Sequence, residues 1–299
     1  MNYILENEII KCTIASKGAE LRSIQSKARN EEYLWDADPA YWNRTSPILF
    51  PFVGGLKEKT YRYNGKTYTM GQHGFARDME FSLLEQTDTE LWMELRDTEE
   101  TKVNYPFRWG LKVGYRLEDN AVRVIWEVSN PDTKDLLFSI GAHPAFRVPK
   151  LSGQALRFYD PAGQPLSVLN NRIFGTTGFI TDRTEEIPIP NGILPLSPEL
   201  FDIDTLVIEE HQLGSVELGK WDEAGNKIDT SARSVRVTFE MPLAGFWSPP
   251  HKDAPFVCIE PWYGRCDSED FEGELQDREF EQKLEPGGTF KTSYTIAVS

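Results

Sequence analysis

The chain has 299 residues, more than one domain usually holds but within the range of a large all-β sandwich. Its formal net charge is −15, with 47 acidic residues against 32 basic ones that are scattered rather than gathered into a stripe, so nucleic acid and anionic membrane are excluded as natural partners. Cys12, Cys258 and Cys266 form an odd set without metal-ligand spacing, and the N-terminal stretch MNYILENEIIKCTIASKGAEL is polar where an export signal would be apolar; together they predict a reduced, cytoplasmic protein.

In chain order, the first helical turn is expected near Asp38 to Trp42, started by Pro39. The apolar stretch ILFPFVGGL follows, too short and too rich in proline and glycine to span a bilayer. From there the dominant period is two: EFSLLEQ, ELWMELRD, WGLKVGYRL and AVRVIWEVSN alternate apolar and polar residues and are rich in β-branched and aromatic types, as half-buried strands are. Hairpin turns are predicted at Tyr63-Asn64-Gly65-Lys66, Glu118-Asp119-Asn120 and Ala224-Gly225-Asn226. A second short helix is predicted from Thr98, a capping residue, to Tyr105, before Pro106. The stretch from Asp182 to Pro198, with four prolines, reads as a wrapping loop. No repeat or long linker interrupts the pattern. The expectation is an all-β fold, a large antiparallel β-sandwich of some twenty strands with a few short helices, forming one domain over residues 1–299 and presenting a concave face.

Several segments carry residues able to do chemistry. His143 lies in Gly141-Ala142-His143-Pro144-Ala145, where small neighbours lower the steric wall around the ring; the residues alone leave it either a core imidazole or an accessible acid–base group. Gln72-His73-Gly74-Phe75-Ala76-Arg77-Asp78 brings a histidine and an arginine within four residues of a glycine bend, either as fixed donors to a ligand or as a surface ion pair of Arg77 with Asp78. In Phe256-Val257-Cys258-Ile259-Glu260-Pro261-Trp262, alternation puts Val257 and Ile259 on one face of a strand and Cys258 and Glu260 on the other, so that Glu260, before Pro261, either meets water or stands at a cleft with a raised pKa. Arg44 opens an apolar strand, Asp202 and Asp204 alternate in FDIDTL, and Trp247 of GFWSPP could serve as a stacking floor for a sugar or belong to the core. There is no GxSxG elbow, glycine-rich phosphate loop or HExxH pair, and a thiol such as Cys258 beside an apolar run is usually buried and inert. No spacing asks for a metal among His73, His143 and Glu260.

Taken in order, Gly18-Ala19-Glu20-Leu21, NRTSPILFPFVG, QHGFARD, GAHPAF, FDIDTLV and FVCIEPWYG resemble the aldose 1-epimerase (galactose mutarotase) family, most closely its LacX-like branch, along nearly the whole chain. The resemblance implies a β-supersandwich that interconverts the α and β anomers of an aldohexose without cofactor or metal, as a monomer or homodimer whose partner is the sugar. It implies His143 as general acid and Glu260 as general base, with Arg44, His73 and Asp204 holding the sugar; ring opening itself asks for an acid and a base on opposite sides of the hemiacetal. The sequence departs from the NHSYF-type motif of galactose-specific members, having Ala142 and Pro144 around His143. It shares the HGxAR motif of hexose-6-phosphate mutarotases, which implies that Arg77, with Arg44, holds a 6-phosphate.

Overall fold

The computed structural model describes residues 1–222, 224–228 and 232–299. Two large antiparallel sheets dominate it. One, of nine strands among the described residues, runs in the spatial order Ile193–Pro195, Ala155–Tyr159, Ser215–Gly219, Val235–Phe239, Thr289–Val298, Ala121–Ser129, Gly110–Glu118, Glu90–Arg96 and Ser82–Gln86. The other runs Ile180–Pro188, Val168–Phe174, Leu206–Ile208, Leu243–Trp247, Phe256–Tyr263, Ile140–Ala142 and Ile48–Leu49, with Ala145–Arg147 also paired to Phe256–Tyr263. Alternation explains the layering: Val113, Trp126 and Val237 of the first sheet and Phe246, Val257 and Ile259 of the second enter one apolar core. No helix among the described residues is long and apolar enough to cross a membrane.

The hairpin turns form where the sequence placed them. Asn64 (φ 51°) and Gly65 (φ 70°) close the pair Tyr63–Lys66, Asp119 (φ 52°) links Glu118 to Ala121, and the Asp222 N–H donates to the Asn226 carbonyl across the 224–226 turn. Thr98 caps the helix Glu99–Asn104, accepting the Thr101 N–H at 3.3 Å. Near Asp38 the chain makes the expected single turn, closed by the Trp42 N–H on the Asp38 carbonyl at 3.0 Å.

The segment from Asp182 to Pro198 differs from its expected form. It continues the strand Ile180–Pro188, passes a tight turn at Pro190–Gly192, and adds Ile193–Pro195 to the other sheet. Both strands are sheet edges, where a proline lacks no ladder partner, so a proline-rich sequence is compatible with pairing.

Candidate active site

Sheet order gathers the site. Leu206–Ile208, Leu243–Trp247, Phe256–Tyr263, Ile140–Ala142 and Ile48–Leu49 are consecutive neighbours, so residues on or just before them meet although they lie over 200 positions apart in the chain. Asp204 precedes the first, Trp247 ends the second, Glu260 is on the third, His143 follows the fourth, and Arg44 precedes the last. Val257 and Ile259 go to the core, which leaves Cys258 and Glu260 on the opposite face, as alternation requires.

Glu260 does not terminate its strand, which continues through Pro261 to Tyr263. A proline is tolerated in this central strand because the neighbouring ladder is interrupted beside it. Ile140–Ala142 pairs with Trp262 and Tyr263, Ala145–Arg147 pairs with Phe256 to Cys258, and His143-Pro144 fills the break. The interruption that spares the missing N–H also turns the His143 ring towards Glu260. Trp262 lies flat across its neighbouring strands, its Nε1–H on the Ala142 carbonyl at 3.2 Å; a Cβ at Gly245 would come within 2.2 Å of its ring.

All seven residues singled out in the sequence, Arg44, His73, Arg77, His143, Asp204, Trp247 and Glu260, line one cavity of about 720 Å³. His143 Nε2 and Glu260 Oε2 are 3.3 Å apart, side by side instead of on opposite walls. Glu260 is 1% exposed, and neither of its oxygens has a hydrogen-bond partner; the same is true of His143 Nδ1. Burial, reinforced by the charge of Asp204, pushes the Glu260 carboxyl well above the usual carboxylate range. Burial, helped by the Arg77 guanidinium, holds His143 down to about 3. Burial therefore disfavours the charged form of each group.

His73 sits in the left-handed region (φ 65°), as does Gly74 (φ 67°), because the bend must bring the chain against Phe50; a Cβ on Gly74 would meet the Phe50 carbonyl oxygen at 2.3 Å. Gly54 N–H donates to His73 Nδ1 at 3.1 Å, which places the ring hydrogen on Nε2. Burial above all, with His143 and the Arg77 and Arg44 charges close by, pushes His73 well below its ordinary pKa. The loop supplying Gly54 is tied down further along, where Asp267 accepts the Lys57 N–H at 2.9 Å and is itself held by Arg278 at 2.8 Å.

Arg44 reaches Asp78 at 3.0 Å, and Arg77 donates to the Gln72 carbonyl at 2.7 Å while its buried Nε makes no hydrogen bond and stands 3.9 Å from Asp78. Burial and the neighbouring Arg44 charge lower Arg77 to about 10. Asp204, not Asp202, faces the cavity; Asp202 is directed to His251 at 2.9 Å. Trp42, which the sequence did not mark, stacks on the His143 ring at 4.6 Å and 29°, and Trp247 meets that ring edge-on at 5.5 Å.

Comparison with known proteins extends over the whole chain. Residues 1–295 match the family model described as aldose 1-epimerase. The chain belongs to the aldose 1-epimerase family. The chromosomal protein LacX of Lactococcus lactis subsp. lactis is 32% identical over 100% of this chain and 99% of its own length. A galactose mutarotase related enzyme of Lactobacillus acidophilus superposes with a TM-score of 0.91 at 31% identity, covering 100% of this chain and 97% of that one. A galactose mutarotase-like protein of Lactobacillus casei gives 0.90 at 29% identity over the full length of both chains. Membership of the aldose 1-epimerase family supports a mutarotase-like activity on a sugar.

Proposed function

We propose that the protein is a cytoplasmic mutarotase that interconverts the α and β anomers of an aldohexose, with His143 and Glu260 as its acid–base pair. The observation that carries this reading is the 3.3 Å approach of two buried groups whose remaining polar atoms lack protein partners, at the floor of a cavity with tryptophan walls. Unpartnered buried acceptors are costly unless a ligand completes them.

The anomeric hydroxyl O1 and the ring oxygen O5 are both bonded to C1, so two groups side by side can address both. The member of the pair that holds the proton delivers it to O5 as the C1–O5 bond breaks. The other member takes the O1 proton, and the electrons of that O–H bond become the second bond of the aldehyde. Rotation about C1–C2 presents the other face of the carbonyl, and closure reverses both transfers. Proton count is conserved throughout, so a pair holding one proton is competent in either tautomer. Trp42 and Trp247 pack against the apolar faces of the ring, the His73 Nε2–H donates to a hydroxyl, and Asp204 accepts from one.

A specific feature favours a phosphorylated substrate as the second reading: Arg44 and Arg77 line the same cavity, and the buried Arg77 Nε still has a hydrogen to donate. NMR saturation transfer on glucose, galactose and their 6-phosphates, with chelator-treated protein, tests both readings. Faster anomer exchange is expected, and Arg77→Met slows the phosphorylated sugars selectively if the second holds. Sugar binding without acceleration would instead favour a carbohydrate-binding protein.

A further inference from the structure

The third side chain beside the His143–Glu260 pair is a thiol. Cys258 precedes Glu260 by two positions on the same strand and therefore shares its face; it pairs with Ala145, just beyond the His143-Pro144 break. One donor atom each from His143, Cys258 and Glu260 lies within 4.8 Å of the others, and all three residues are buried. We propose that this cluster is a binding site for a thiophilic divalent cation such as Zn²⁺, which shuts the catalytic centre by occupying the place of the anomeric oxygens.

The donor chemistry selects the class of ion. Imidazole nitrogen, thiolate sulfur and carboxylate oxygen form a mixed set that suits Zn²⁺ and disfavours Mg²⁺ or Ca²⁺, which prefer all-oxygen shells. The spacing is compatible with a tetrahedral shell. Nitrogen and oxygen ligands about 2.0–2.1 Å from zinc stand about 3.3 Å apart at the tetrahedral angle, and His143 Nε2 and Glu260 Oε2 are 3.3 Å apart. A zinc–sulfur bond of about 2.3 Å would place Sγ about 3.6 Å from the other two donors, so the thiol closes in by at most about 1.2 Å. The two Glu260 oxygens have no hydrogen bond to surrender, which removes the usual cost of recruiting a buried carboxylate to a metal. The cavity supplies the entry path and the fourth, open position. Binding releases the thiol proton, and any proton carried by His143 or Glu260, to solvent.

Occupation by metal requires the same His143 and Glu260 atoms that the proposed proton transfers use, so metal and sugar compete. The inhibition rests on the mutarotase reading, whereas the binding does not, and the two are separable by experiment. Metal-free protein is titrated with Co²⁺ as a spectroscopic substitute for Zn²⁺. A thiolate-to-cobalt charge-transfer band is expected at one equivalent, reversed by Zn²⁺. Cys266, unlike Cys258, lines the cavity wall itself and provides the control. The band is expected to survive Cys266→Ser, to vanish in Cys258→Ser, and to require at least tenfold more cobalt in Glu260→Gln. Anomer exchange in Cys258→Ser should match the parent without metal and lose its sensitivity to Zn²⁺. Absence of a band in the parent protein, or one abolished by Cys266→Ser instead, overturns the site whatever the activity shows. Should Cys258→Ser not fold, an undiminished cobalt affinity in Glu260→Gln overturns it equally.

Discussion

Replacing Glu260 by glutamine separates chemistry from fold more cleanly than any other change at this site. The carboxyl is 1% exposed, has no hydrogen-bond partner on either oxygen, and is driven towards its protonated form by burial and by Asp204. Glutamine keeps the shape and neutrality but can neither lose nor gain the proton that the pair passes to the sugar. Loss of one general acid–base group usually costs about 10²- to 10⁴-fold, equivalent to about 2.7–5.4 kcal/mol in the barrier. The stability sign is opposite. A carboxyl whose folded pKa is raised contributes stability that is fully present below the unfolded value of 4.5 and is lost as pH rises through the folded value. Glutamine carries no such dependence, so the melting temperature of Glu260→Gln relative to the parent should rise with pH. Saturation-transfer NMR measures the anomer exchange rate, and thermal melts across a pH series measure the stability. A folded variant that exchanges anomers at near the parental rate would sink the assignment of Glu260 to proton transfer.

His143→Ala should likewise remove most anomerisation in folded protein, read by the same exchange experiment. Because burial holds His143 down to about 3, kcat/KM should show no acid limb at the ordinary imidazole value of 6.5, and a limb there in a pH–rate profile would contradict that lowered value. Trp42→Ala uncovers one face of that ring, so the limb should move upward towards 6.5 while the protein stays folded; an unmoved limb would show that the stacking does not control solvation of His143. Gly74→Ala forces a Cβ to within 2.3 Å of the Phe50 carbonyl oxygen at φ 67°, and should cost about 1–3 kcal/mol in denaturant unfolding together with weaker sugar binding through displacement of His73.

Much of the fold was legible because alternation is a local property. Val257 and Ile259 against Cys258 and Glu260, or Asn64-Gly65 between two strands, needs only a few neighbouring residues to be read, and the structure places them accordingly. The proline-rich 182–198 segment misled for a definite reason. Local sequence marks a proline as a poor ladder member, but whether its strand lies at a sheet edge is decided by the rest of the chain.

The site divides in the same way. Side-chain chemistry in ordered motifs marked Arg44, His73, Arg77, His143, Asp204, Trp247 and Glu260, and the structure draws all of them to one cavity. Trp42 carried no signal, since its role is a stacking contact with a ring about a hundred positions away. Residue type and alternation did not separate Asp202 from Asp204; the family resemblance chose Asp204, and in the structure Asp202 turns to His251 while Asp204 lines the cavity. The sequence by itself determined which groups could exchange protons and which face of each strand they occupy, because both follow from residue type and a two-residue period. Only the tertiary structure decided that His143 and Glu260 stand side by side, both buried, with the Cys258 thiol within 4.8 Å, because distance and burial are set by the pairing of strands remote in the chain.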